Sequence, residues 1–144
     1  MSEKKPLNRK TWLTSGLRRM SYRWPARSEA LKLGRVERGM YKCAQCLSTY
    51  QKQEIKLDHI LPVVNVSTGF TTWDEFIDRL FCAAEGYQIL CNQCHDTKTM
   101  IEDEMRKANK AQQREELKLT EKEAKLESKR LKALEKKEGK KHDR

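Results

Sequence analysis

The sequence predicts an α+β fold: short strands and one capped helix around a four-cysteine zinc site, a basic helical segment before them, and a long charged helix after them. Three observations carry this. Two Cys-x-x-Cys pairs, Cys43/Cys46 and Cys91/Cys94, bracket the middle of the chain. Short apolar runs of strand type and a capped helical period lie around and between them. From about residue 100 the chain runs without Gly or Pro as far as Gly139.

In chain order, the first 25 residues form a basic arm in which arginines alternate with Trp12, Tyr22 and Trp24. A helix is expected after Pro25, with Ser28 as N-cap, Ala30, Leu31, Leu33 and Val36 as its buried stripe, and Gly39 as its end. The stretch "MYKCAQCLSTYQKQEIKLDHILPVV" reads as two short strands, the first Cys pair forming a tight turn and Pro62 limiting further pairing. In "TTWDEFIDRLFCAAEG", Thr72 followed three residues later by Glu75 is a capping-box pattern. Phe76, Ile77, Leu80, Phe81 and Ala84 share one face of a helix of about three turns that Gly86 would close. Cys82 reads as a packed thiol on that face. After "YQILC" and the second Cys pair comes the long helix. Its Leu117, Ala124, Leu131 and Leu134 are loosely heptad-spaced, but Thr120 and Glu127 interrupt the stripe. A solvated single helix held by Glu/Lys pairs is therefore expected.

Composition narrows the class. Charged residues make up 36% of the 144 and the mean hydropathy is −0.93, so the core is small. Five cysteines, four of them in close pairs, point to metal ligation in a reducing compartment rather than to disulfides. No apolar run approaches the roughly 20 residues of a membrane helix, and no secretory leader is read at the N-terminus. Lys and Arg outnumber Asp and Glu by 11 to 3 in residues 1–40 and by 15 to 10 in residues 103–144, whereas acids lead 8 to 5 in residues 41–102. Two basic flanks around an acidic, cysteine-bearing centre suit a polyanion binder whose centre takes cations, although surplus lysines also serve solubility.

The chemistry sits in that centre. Four thiolates in two x-x-spaced pairs match a closed tetrahedral Zn²⁺ site that would supply much of the folding free energy. Such a knot draws Asp58-His59, twelve residues beyond Cys46, toward His95, which follows Cys94. A carboxylate and an imidazole, Asp58 and His95, can hold a divalent cation with positions left for water and a phosphate oxygen. His59, with an unperturbed pKa of roughly 6.5, suits proton abstraction near neutrality.

"YKCAQC…KLDHILPVV…YQILCNQCHDTKT" resembles the HNH endonucleases, particularly the small zinc-containing type of bacteriophages, over residues 26–102. The resemblance implies a hairpin-plus-helix (ββα-metal) core. His59 would be the general base, Asp58 and His95 the ligands of one catalytic metal (Mg²⁺, Mn²⁺ or Ni²⁺), and Cys43, Cys46, Cys91 and Cys94 the ligands of a structural zinc. It implies hydrolysis of double-stranded DNA to 5′-phosphate and 3′-hydroxyl ends. One departure stands out: the family's Asn, which braces the hairpin before the second Cys pair, is replaced by Glu85-Gly86, with Asn65 and Asn92 out of register.

On this reading residues 1–25 are a basic arm, 26–102 the nuclease domain and 103–144 a charged helical tail. Arg18, Arg19, Arg23, Arg27, Arg35 and Arg38 are the expected duplex grip, and Lys98, one turn after His95, either contacts a phosphate or faces solvent. The expected location is the cytoplasm, of an infected bacterial host if the chain is phage-encoded. The alternative is a zinc-stabilised nucleic-acid-binding module, such as a phage packaging or regulatory accessory. The tail is a candidate for binding a phage protein or for weak self-association.

Overall fold

The computed structural model describes residues 8–139. The chain divides into two compact units, Met1–Asp103 and Glu104–Arg144. The first seven residues of the expected arm and residues 140–144 of the expected tail lie outside the described residues.

The basic arm is itself helical. Asn8 caps α1 (Arg9–Ser21), its side chain accepting from the Thr11 amide at 3.1 Å, and Arg18 and Arg19 in the last turn complement the helix dipole. Helix α2 (Pro25–Leu33) starts earlier than Ser28, because Pro25 at its first position forgoes only an N–H that has no helical partner. It also ends earlier, at Gly34, where a Cβ would overlap Ile89 Cδ1. Its buried face is therefore Ala26 and Ala30. Leu33 and Val36, expected in the stripe, are exposed, and Val36 belongs to the next strand.

Three short strands follow, β1 (Arg35–Glu37), β2 (Met40–Lys42) and β3 (Thr49–Gln51), forming an antiparallel sheet in that order. A 3₁₀ turn at Lys52–Glu54 redirects the chain into β4 (Ile55–His59), so the region expected to hold two strands contributes to two separate sheets. Ile60–Val64 is irregular, with Arg79 Nη1 donating to the Pro62 carbonyl at 3.1 Å.

Helix α3 (Trp73–Leu80) forms one half of the expected capping box: Thr72 Oγ1 accepts from the Glu75 amide at 3.2 Å, but the Glu75 side chain does not return to the Thr72 amide. The Glu75 carboxylate is taken by Thr71 and Arg79. The helix stops at Leu80 rather than at Gly86. Trp24 packs edge-on against Phe81, and its indole N–H donates to the Cys82 carbonyl at 2.7 Å, while Gly86 lies in a separate 3₁₀ turn, Ala84–Gly86. Strand β5 (Tyr87–Cys91) then pairs antiparallel with β4, from Ile55 opposite Cys91 to His59 opposite Tyr87. Helix α4 (Asn92–Gly139) begins directly at the strand's end.

The first unit's core is three small clusters rather than one: Ala26, Ala30, Ala84 and Tyr87; Cys43, Leu90 and Cys91; and Val63, Phe76 and Leu80. Cys82 packs against the first of these, not on the face of α3. In the second unit the heptad-spaced Leu117, Leu131 and Leu134 are all exposed. No helix among the described residues is long and apolar enough to cross a membrane.

Candidate functional site

The two Cys pairs end up together because the β2–β3 turn and the β5–α4 junction meet. Leu47, at φ 61°, completes the first turn, with its amide on the Cys43 carbonyl at 3.0 Å and the Cys43 amide on the Ser48 carbonyl at 2.9 Å. The Ala44 amide donates to the Ile89 carbonyl at 2.8 Å, tying that turn to β5. The four sulfurs of Cys43, Cys46, Cys91 and Cys94 lie within 4.8 Å of one another, and no other group of three or more metal-ligating side chains occurs among the described residues. Sulfurs around a zinc ion at about 2.3 Å stand roughly 3.8 Å apart, so the observed spacing closes on an ion with shifts of about 1 Å or less.

Both the donor chemistry and the spacing therefore fit a structural ion such as zinc. Cys46 accepts from Tyr50, which draws its thiol down to about 6, while sharing a hydrogen bond with Cys91 pushes Cys94 up to about 12.

Beside the knot, Arg18, Tyr22, Arg27, Asp58, His59 and His95 line an open cleft of about 470 Å³. Asp58 and His59 come from the end of β4, His95 from the first turn of α4, Arg18 from α1 and Arg27 from α2. His59 is half-buried, tilted against Tyr87 with ring centres 4.7 Å apart, and its Nε2 lies 3.2 Å from the Leu80 carbonyl. Leu80 is the last residue of α3, so that carbonyl has no helical partner; the Tyr87 hydroxyl donates to it as well, at 3.2 Å. A carbonyl only accepts, so Nε2 carries the hydrogen and Nδ1 is the basic nitrogen. Burial first, then the Arg27 and Arg18 charges, hold the His59 pKa below the usual 6.5 against the pull of the Leu80 carbonyl and Asp58, keeping the ring neutral at neutral pH.

Arg27 lies over both Tyr22 and Tyr87, at 5.3 Å from each ring centre, and Arg18 lies 5.7 Å from the Phe76 ring centre. These aromatic faces hold two guanidinium groups at the cleft wall. Arg19, Arg23, Arg35 and Arg38 are exposed elsewhere and do not line it. Lys98 does not face solvent. Its ammonium donates to Asp58 Oδ2 at 2.5 Å, the His59 carbonyl at 2.8 Å and Glu102 Oε1 at 3.0 Å. Burial disfavours that charge, but Asp58 and Glu102 outweigh it and hold the pKa above the usual lysine value. Gln88 adds a donor to Asp58 at 3.3 Å, and His95 Nδ1 lies 3.3 Å from Asp96 Oδ1. Asp58 and His95 thus bring one carboxylate and one imidazole to a single cleft, with Lys98 and Gln88 both donating to Asp58 Oδ2.

A Cβ at Gly86 would stand 2.6 Å from Cys82 Sγ, so the position has no room for a side chain. The mouth of the hairpin is closed instead by the backbone, the Ile60 amide donating to the Gly86 carbonyl at 2.9 Å, with the Tyr87 hydroxyl on Leu80 beside it. Asn65 is engaged in its own turn, accepting from the Ser67 and Thr68 amides, and Asn92 is an exposed residue at the start of α4.

Sequence reasoning missed Tyr87 and the Leu80 carbonyl, which no local pattern marks. The Lys98–Glu102 pair was visible as an i,i+4 spacing. Compared with known proteins, the chain matches no family model, no curated protein and no solved structure.

Proposed function

We propose that this protein is a metal-dependent DNA endonuclease of HNH type, similar to the small zinc-containing nucleases of bacteriophages. The observation that carries the proposal is the cleft, where an imidazole with a free basic nitrogen, a carboxylate, a second imidazole and two arginines converge. The order strand–strand–helix in β4, β5 and α4, with His59 on the first strand and His95 on the helix, supports the ββα-metal reading.

In this mechanism His59 accepts a proton at Nδ1 from the attacking water, its ring held by the Leu80 carbonyl and Tyr87. The water oxygen bonds to phosphorus and the bond to the 3′ oxygen breaks, that oxygen taking a proton from solvent, which leaves 5′-phosphate and 3′-hydroxyl ends. Arg18 and Arg27 neutralise the non-bridging phosphate oxygens from the cleft wall. A divalent cation held by Asp58 and His95 would supply Lewis-acid polarisation of the phosphoryl group. The exposed arginines of α1 and the β1–β2 region contribute sequence-independent contacts to the duplex.

The test is supercoiled plasmid incubated with the zinc-loaded protein and Mg²⁺, Mn²⁺ or Ni²⁺, beside His59→Ala. Metal-dependent nicking should fall by a factor of about 10² or more in the variant while DNA binding and zinc content stay unchanged. A second reading, a zinc-stabilised module that binds nucleic acid without cutting, is favoured by one observation, the Lys98 ammonium seated on Asp58. DNA binding with no cleavage under any of the three ions would select it.

A further inference from the structure

Lys98 does not itself line the cleft, but its ammonium reaches Asp58, which does. Its three ammonium hydrogens have three acceptors, two of them, Asp58 Oδ2 and the His59 carbonyl, on consecutive residues of β4. The third, Glu102, lies one turn further along Lys98's own helix. The Lys98 and Asp58 side chains are both about a fifth to a quarter exposed, so their attraction is only partly screened. A divalent ion on Asp58 would sit within a few ångströms of the ammonium, and two cations at such range repel strongly in a partly dry site.

We propose that Lys98 is a tethered cation on Oδ2 of the Asp58 carboxylate, so that a divalent ion binds that carboxylate by displacing the ammonium. The inference rests on the reading of Asp58 as a cation ligand. Glu102 gives the displaced ammonium a partner that needs no change in the helix, only a side-chain rotation away from β4. The arrangement sets a threshold: the carboxylate stays paired at low metal concentration, and only an ion that outcompetes a charge-assisted hydrogen bond loads the site.

The experiment measures Mn²⁺ binding by the zinc-loaded, full-length protein through the loss of free-ion EPR signal, for the parent, Lys98→Met, Lys98→Gln, Asp58→Asn and the Asp58→Asn/Lys98→Met double variant. The four thiolates retain zinc against Mn²⁺, and zinc content and melting temperature report on the fold. Lys98→Met keeps the apolar stem, while Lys98→Gln keeps a donor without charge and serves if the first variant folds poorly. Both are expected to tighten Mn²⁺ about tenfold or more, and Asp58→Asn to abolish the gain. A merely structural lysine would give the opposite sign, since loosening β4 against α4 weakens the site. Mn²⁺ affinity that is unchanged or lower without Lys98, yet still dependent on Asp58, overturns the exchange and leaves the metal site standing. Absence of any Asp58-dependent binding overturns both.

Discussion

Leu80 shows how a single backbone atom can organise a cleft. Its carbonyl is released by the end of α3, and His59 and Tyr87 converge on it, fixing which imidazole nitrogen is basic. Neither partner could be read from the sequence around Leu80, because the contacts span 21 and 7 residues and depend on where the helix stops. Gly86 is a second case, since its want of a side chain is set by Cys82 pressing on the spot where a Cβ would lie. Gly86→Ala should therefore cost about 1–3 kcal/mol, and Cys82→Ala should relieve part of that cost. Urea unfolding of the zinc-loaded single and double variants measures the coupling; strict additivity would show that the two positions do not press on each other.

At the scale of elements, local signals and tertiary contacts divided the work. The Thr72 cap was legible and forms, so Thr72→Ala should lower stability by about 1 kcal/mol, seen as a lower urea midpoint with unchanged slope. The end of the same helix was not legible. The apolar period runs on through Phe81 and Ala84, yet Trp24 captures the Cys82 carbonyl and the chain turns off to begin β5. Helix α2 was displaced for a related reason: Pro25 starts it, and the approach of Ile89 requires glycine at position 34. Ala26 and Ala30 are buried in place of the larger Leu33 and Val36, because closeness to the Ala84–Tyr87 segment favours small side chains. The expected basic helix begins only after Pro25, and Arg9–Ser21 does not read as a helix of its own because its apolar positions are few.

For the molecule as a whole, the four cysteines join the candidate ion site to the first unit's core. Cys43 and Cys91 are core residues and Cys94 packs against their cluster, so the ion site and the apolar core are one region. Zinc sites of this kind bind with about 10 kcal/mol or more, comparable with the entire stability of a small domain. Chelation of the metal, or Cys91→Ser, should therefore release the β4–β5 pairing. Hydrogen exchange would report this as loss of amide protection at Asp58 and Gln88, which face each other in the hairpin two residues along from the Ile60–Gly86 bond and so form its next hydrogen-bonded pair. Protection that survives chelation would show that apolar burial alone holds the unit.

The sequence by itself determined the α+β class, the four-sulfur cluster, the Thr72 cap and the long helix, since each rests on residue types at short, fixed spacings. Only the tertiary structure decided what surrounds the candidate catalytic groups: that Arg18 and Arg27 join the cleft while four other arginines do not, that Lys98 sits on Asp58, and that His59 is aimed through Leu80. The reason is physical. A cap, a turn or a ligand pair is closed by neighbours within a few residues, whereas charge pairing across a cleft is settled by which distant backbones meet, and no spacing along the chain encodes that.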